Sequence, residues 1–207
     1  IKKFRLTKMK YIVLYNPHAG DGWNDEKRSA AEKSIGGECF FRDMTKTDYA
    51  SLFGKMTDGE RLVLIGGDGT LNRFINDTKN LKLPEHILYL AGGSGNDFLH
   101  DICGSQTSDK PIDVDKYIKN LPTVTVNGKE ELFLNGIGYG IDGYCCRVGD
   151  EIKEKAQKKP NYTAIAIKGL LFHFKPSDAV VTVDGARREY KKVWLAPTMN
   201  GRYYGGG

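Results

Sequence analysis

The first hundred residues alternate between short, wholly apolar runs and longer stretches with a polar face. Residues 11–15 (YIVLY), 62–65 (LVLI) and 87–91 (ILYLA) are uninterrupted runs rich in β-formers, and residues 39–42 (CFFR) form a weaker one. Between them, residues 26–35 (EKRSAAEKSI), 47–56 (TDYASLFGKM) and 71–80 read as helices. The first of these should end near Gly36 and Gly37, and the second should be capped by Thr47 or Asp48. Fully apolar strands are covered on both faces, and strands alternating with helices form parallel sheets.

The texture changes after about residue 109. Residues 123–140 alternate around Asn127-Gly128, and residues 179–201 do the same around Asp184-Gly185; both are hairpin signals. Residues 151–174, bounded by Pro160 and Pro176, read as one helix. The polar segment 105–112 marks a boundary. The expected organisation is an α/β nucleotide-binding domain over residues 1–108, then a β-rich domain over 109–207 that is incomplete at its C-terminus.

Composition narrows this picture only modestly. The chain has 207 residues, 40% apolar and 28% charged, with a formal net charge of +5. No apolar run approaches the ~18 residues that span a bilayer. The four cysteines, at 39, 103, 145 and 146, form no C-x-x-C pair and are expected to be reduced thiols of a cytosolic protein. The N-terminal residues lack the apolar segment of a secretory signal, and Met9 opens what looks like a natural start. At the other end the chain stops within a glycine run, which predicts that the native protein continues.

The chemistry gathers at three predicted strand ends: NPHAG at 16–20, GGDGT at 66–70 and GGSGND at 92–97. Ligands of open α/β sheets bind outside the carboxyl ends of the strands, so these loops should converge. Gly66 and Gly67 suit positive φ and close backbone approach, while Gly69 and Thr70 should start a helix, with Thr70 as its cap. A helix N-terminus with free N–H groups holds phosphate. Asp68 would repel bare phosphate. It makes sense beside Mg²⁺, or as the acceptor of a proton from an attacking hydroxyl. Neither a Walker-type loop nor a protein-kinase H-R-D set is present.

These motifs, in this order, resemble the diacylglycerol kinase catalytic-domain family, which includes bacterial lipid kinases and is related to sphingosine kinases. The likeness is carried by Asn16-Pro17-x-x-Gly20, Gly66-Gly67-Asp68-Gly69-Thr70-x-Asn72 and Gly93-Ser94-Gly95-Asn96-Asp97-Phe98. It continues in residues 132–146 and in the Asn-Gly-x-x-x-Gly-Gly-Gly loop that begins at Asn200. The resemblance implies an N-terminal parallel-sheet domain similar to phosphofructokinases and NAD kinases, and a β-rich second domain contributing the lipid site. It implies ATP and Mg²⁺ as cofactors, and diacylglycerol or a related lipid alcohol as acceptor. Asn16, Pro17 and Gly20 would then lie along the nucleotide, and Gly66, Gly67, Gly69, Thr70 and Asn72 would hold its phosphates. Thr45 and Ser94 would make further contacts, and Asn96 and Asp97 would order the site. In bacterial members an acidic general base and most metal ligands follow the Gly-Gly-Gly loop, beyond Gly207. That leaves Asp68 as the visible catalytic candidate and the metal ligands unassigned.

The expected partner is a lipid at a membrane surface, for a cytoplasmic protein that binds the membrane peripherally. A homodimer is compatible with this, and a nucleic-acid partner is not expected. An NAD-kinase-like enzyme would share GGDGT, but residues 94–98 and the long β-rich half argue against it. A non-catalytic nucleotide-binding regulatory module is the other alternative. Lysines 153, 155, 158, 159, 168 and 175 could meet anionic headgroups, although Glu151 and Glu154 make a solvated helix face the simpler reading. The apolar side of residues 164–174 reads as core before it reads as an acyl pocket. Asp113 and Asp115 read as strand-edge or linker carboxylates, Asp142 as a brace, and Asp184 as a turn residue.

Overall fold

A computed structural model of the chain describes residues 9–20, 22–92, 95–156 and 160–205. The chain divides into two compact units. One runs to Asn135 and resumes at Asn200; the other is Gly136–Met199.

The first unit is built on a sheet of β1 (Lys10–Tyr15), β2 (Glu38–Asp43), β3 (Glu60–Gly66), β4 (Ile87–Ala91) and β5 (Ile112–Asp113), in the order β2-β1-β3-β4-β5. The first four strands are parallel and β5 is antiparallel to β4. Successive residues of the apolar runs face opposite sides, and both sides are buried. Leu14, Leu62, Leu64 and Tyr89 join one cluster, while Val13, Val63, Ile65 and Leu90 join the other.

Helix α1 (Asp25–Ile35) starts at Asn24, whose side chain accepts the Lys27 amide (2.9 Å), and closes on Gly36 at φ 74°. Helix α2 (Tyr49–Lys55) is capped by Asp48 through the Ser51 amide. Helices α3 (Asp68–Thr78), α4 (Asp97–Cys103) and α5 (Asp115–Ile118) follow.

The hairpin β6 (Thr123–Val126) and β7 (Lys129–Leu132) turns at Asn127 and Gly128, both with positive φ, as its Asn-Gly pair predicts. It belongs to the first unit, although the sequence reading drew the boundary after residue 108. The reason is local: Asn76 of α3 brackets Leu132, accepting its N–H and donating to its C=O, both at 2.9 Å. Lys79 also donates to the Glu130 carbonyl (2.7 Å).

The second unit holds two antiparallel pairs, β8 (Gly136–Gly140) with β11 (Leu195–Met199), and β9 (Ser177–Val183) with β10 (Ala186–Val193). The predicted turn at Asp184-Gly185 is present, again with positive φ at both residues. The single helix expected over residues 151–174 is replaced by α6 (Ile141–Ala156), α7 (Tyr162–Lys168) and a π-helical turn, Gly169–His173. Pro160 supplies no N–H for a continuing helix, and Asn161 caps the new one by accepting the Ala164 amide (3.0 Å).

Candidate functional site

The three glycine-rich loops follow the carboxyl ends of neighbouring parallel strands, β1, β3 and β4. They are bonded to one another. The Gly92 amide donates to the Gly66 carbonyl (2.9 Å), and the Asp68 amide to the Gly95 carbonyl (3.3 Å). Asn16 Nδ2 lies 3.4 Å from Thr70 Oγ1, while Asn16 Oδ1 accepts the His18 amide in a tight turn. Pro17 lies in that turn, half-buried, and Gly20 closes it at φ 59°, with the Gly92 carbonyl 3.8 Å from where a Cβ would sit.

The β3–α3 junction departs from expectation in two ways. Helix α3 begins at Asp68 with Gly67 as its cap, so Thr70 is an internal, buried helical residue and not the cap. Neither Gly66 nor Gly67 has positive φ. Gly66 is needed for space instead: a Cβ there would stand 2.5 Å from the Thr70 side chain. Strand and helix therefore meet more closely than any other residue would permit. The Thr70 and Leu71 amides bond to the Gly67 carbonyl, so part of the helix start is satisfied internally. At Gly69 nothing lies within 4 Å of where a Cβ would be.

Asp68 is the centre of the arrangement. Its Oδ2 accepts the Asp97 amide (2.7 Å) and Asn135 Nδ2 (2.9 Å), and its Oδ1 accepts the Phe98 amide (3.3 Å). Burial pushes its carboxyl above the usual range. The three donors oppose that shift, and the neighbouring charge of Asp97 adds to it. The outcome is a carboxylate held in one orientation yet readier than usual to take a proton. A carboxylate offers roughly four lone-pair positions, so three donors leave capacity for one more partner.

The remaining predicted residues are placed as follows. Asn96 and Asp97 are buried at the start of α4, beside Asp68; Asn96 Nδ2 donates to the Gln106 carbonyl (3.0 Å). Asn72 is committed internally, its side-chain oxygen accepting the Leu134 amide (3.0 Å). Thr45 lies beyond β2, and its amide and hydroxyl both donate to Asp43 Oδ1. Ser94 and Gly93 lie outside the described residues.

Two contributors escaped the sequence reading. Asn135 reaches Asp68 from 67 positions away, and Tyr89 on β4 donates its buried hydroxyl to the Gly66 carbonyl (2.8 Å). Burial, followed by the charge of Asp68, pushes the Tyr89 hydroxyl pKa up, so it stays a neutral donor. Asn135 was visible as part of a family-like segment, but Tyr89 looked like one more apolar strand residue.

A cavity of about 400 Å³ opens beside these loops, lined among others by Asn16, Trp23, Lys27, Gly66, Gly92 and Asp109. Elsewhere in this unit, His86, Asp113 and Asp115 cluster where β4 begins, at the opposite end of the strand from the glycine loop. Asp115, at the start of α5, accepts the His86 and Ile87 amides and so ties α5 to the start of β4, while Asp113 of β5 accepts the Asp115 amide.

The family model described as diacylglycerol kinase catalytic domain matches residues 10–124. A Bacillus subtilis (strain 168) relative, YtlR, provisionally named a lipid kinase, is 29% identical over 173 residues, covering 72% of this chain and 52% of YtlR. The chain thus spans about half the length of that curated relative. A Bacillus anthracis str. Sterne structure, provisionally titled a diacylglycerol kinase, superposes with a TM-score of 0.59 at 21% identity, covering 97% of this chain and 69% of that one. A second structure from the same strain, titled a diacylglycerol kinase, gives 0.56 at 21% identity, with 96% and 67% coverage. At these identities the structures establish the fold.

Proposed function

The chain belongs to the diacylglycerol kinase catalytic-domain family, and we propose that it works as an ATP-dependent lipid kinase with diacylglycerol as its acceptor. The observation that carries this reading is Asp68, a carboxylate fixed by three donors where three glycine-rich strand-end loops meet. Phosphoryl transfer asks mainly for positioning and for a group that receives the hydroxyl proton.

In the proposed reaction the lipid hydroxyl oxygen attacks the γ-phosphorus of ATP. A new O–P bond forms, the bond from γ-phosphorus to the β-bridging oxygen breaks, and ADP leaves. The hydroxyl proton passes to Asp68. The Asp97 and Phe98 amides and Asn135 keep that carboxylate aimed while it changes charge. Gly69 lets phosphate approach the backbone closely, since nothing lies within 4 Å of where its Cβ would be.

When bound with ATP, a Mg²⁺ ion would neutralise phosphate charge. Asp68, with one position left beside its three donors, keeps that position for the hydroxyl proton, and the ligands of the ion are left unassigned.

The test is transfer of labelled γ-phosphate from Mg·ATP to a total lipid extract by the full-length protein, with products identified by mass. Labelled phosphatidate supports the diacylglycerol reading. A different labelled lipid changes the acceptor, and no labelled lipid refutes the proposal.

A further inference from the structure

The strand order lays out the carboxyl edge of the first unit's sheet. Asp68 starts α3 directly after β3, the NPHAG loop follows β1, and Asp43 ends β2, along the order β2-β1-β3. The register aligns Asp43 with Tyr15, and Tyr15 with Ile65. Neighbouring strands lie about 4.8 Å apart, so the end of β2 stands about 10 Å from the end of β3, a distance that an extended triphosphate spans. Asp43 therefore flanks the first loop on the side away from Asp68. Its two oxygens are differently engaged. Oδ1 accepts the Thr45 amide (2.9 Å) and hydroxyl (2.7 Å) and so caps the turn Met44–Lys46. Oδ2 has Lys46 Nζ at 3.8 Å, beyond hydrogen-bond distance, and the Lys46 side chain is 83% exposed. Slight burial works to raise the Asp43 carboxyl, but the Thr45 bonds and the charges of Lys46 and His18 outweigh it and hold the carboxyl below the usual range. Asp43 is thus an oriented anion with an oxygen to offer at the edge where α/β sheets bind their ligands. Capping accounts for Oδ1 and leaves Oδ2 without a task.

We infer that Asp43 accepts hydrogen bonds from the ribose hydroxyls of the nucleotide through Oδ2, and so selects ribonucleotides over 2′-deoxyribonucleotides. The inference rests on the nucleotide half of the reading above and adds the residue that selects the sugar. A carboxylate suits this task because it only accepts, a sugar hydroxyl donates, and a bond to an ionised acceptor is the stronger kind. In dinucleotide-binding folds an acidic residue beyond the first phosphate loop reads the ribose 2′-hydroxyl from a comparable place in the chain.

The test is isothermal titration of the full-length protein with Mg·ADP and with Mg·2′-deoxyADP, which reads binding without catalysis. The parent protein should bind ADP more tightly by about tenfold or more. Asp43→Asn keeps a capping oxygen for Thr45 and removes the charge that meets the sugar. It should weaken ADP binding by about tenfold, change 2′-deoxyADP binding little, and leave the melting temperature near that of the parent. Lys46→Ala takes the ammonium away from Oδ2 and should keep the preference for ADP.

If the parent binds the two nucleotides alike, or if Asp43→Asn weakens both to the same degree, Asp43 only caps its turn and the inference is overturned. Absence of any ADP binding overturns it as well. Label transferred to lipid, with no discrimination between the sugars, would leave the lipid-kinase reading standing and remove this role of Asp43. Sugar-selective ADP binding with no labelled lipid would keep the role of Asp43 and remove the lipid acceptor.

Discussion

Asp68 serves two tasks that substitution can separate: a carboxylate that accepts protons, and a bracket that accepts the Asp97 and Phe98 amides. Asp68→Asn removes the proton site and keeps one acceptor oxygen, but its NH₂ group must face a donor, either the Phe98 amide or the Asp97 amide with Asn135. Transfer should fall by about 10²-fold or more, with circular dichroism preserved and about 1–3 kcal/mol of stability lost at most. Near-normal turnover would exclude Asp68 as the proton acceptor. The sign of its pKa shift supports intact folding. A carboxyl raised in the folded state contributes stability below its unfolded value, and that contribution is lost as pH rises through the folded value. At neutral pH the buried charge is therefore a cost, which Asn removes. In the same way, activity that needs the charged form should fail on acidification at a pH above the ordinary carboxylate range. Asn135→Ala takes away a donor to the charged form. The acid limb of the pH–rate profile should then move to still higher pH, and an unmoved limb would show that Asn135 does not tune Asp68.

At the scale of elements, the β3–α3 junction depends on close contact. Gly66→Ala would drive a methyl into the Thr70 side chain and should destabilise the protein by about 1–3 kcal/mol, measurable by urea unfolding. An unchanged midpoint would mean that the junction relaxes freely. Asn76→Ala removes both hydrogen bonds to Leu132. It should cost about 1–3 kcal/mol and raise amide exchange in β6 and β7 ahead of the sheet. The parallel sheet was legible because its strands are apolar on both faces, and both hairpin turns were announced by Asn-Gly and Asp-Gly. The convergence of three loops followed from their position at strand ends. What stayed hidden depends on partners distant in sequence. Asn76 looks like a solvent-facing helix residue, and Asn72 was read only as a phosphate contact, until the chain at 132–134 is laid against them. Pro160 was noted, yet only the Asn161 cap shows that it separates two helices rather than kinking one.

For the whole molecule, the division into units is not a single cut along the chain. The chain leaves the first unit after Asn135, builds the second, and returns at Asn200. The return is fixed beside the catalytic candidate. The Asn200 and Gly201 amides bond to the Asn135 carbonyl (2.8 and 2.9 Å), and Asn200 Nδ2 donates to the Leu134 carbonyl (2.7 Å). Farther on, Tyr203 stacks on His100 of α4 at 3.9 Å, and Arg202 pairs with Asp101. Asn135 thus holds Asp68 with its side chain while its carbonyl receives the returning chain. Residues far along the sequence consequently brace the loop at 66–70, and the boundary drawn from composition near residue 108 could not show it. Asn200→Ala should cost about 1 kcal/mol and increase hydrogen exchange at Asp97 and Phe98, where Asp68 binds α4. Arg202→Ala, which removes an exposed pair, should have a smaller effect on stability and loosen the Tyr203 stack without changing exchange at Asp97. Equal exchange at Asp97 and Phe98 in the parent and the Asn200 variant would show that the returning chain is merely laid on the first unit and does not support the site.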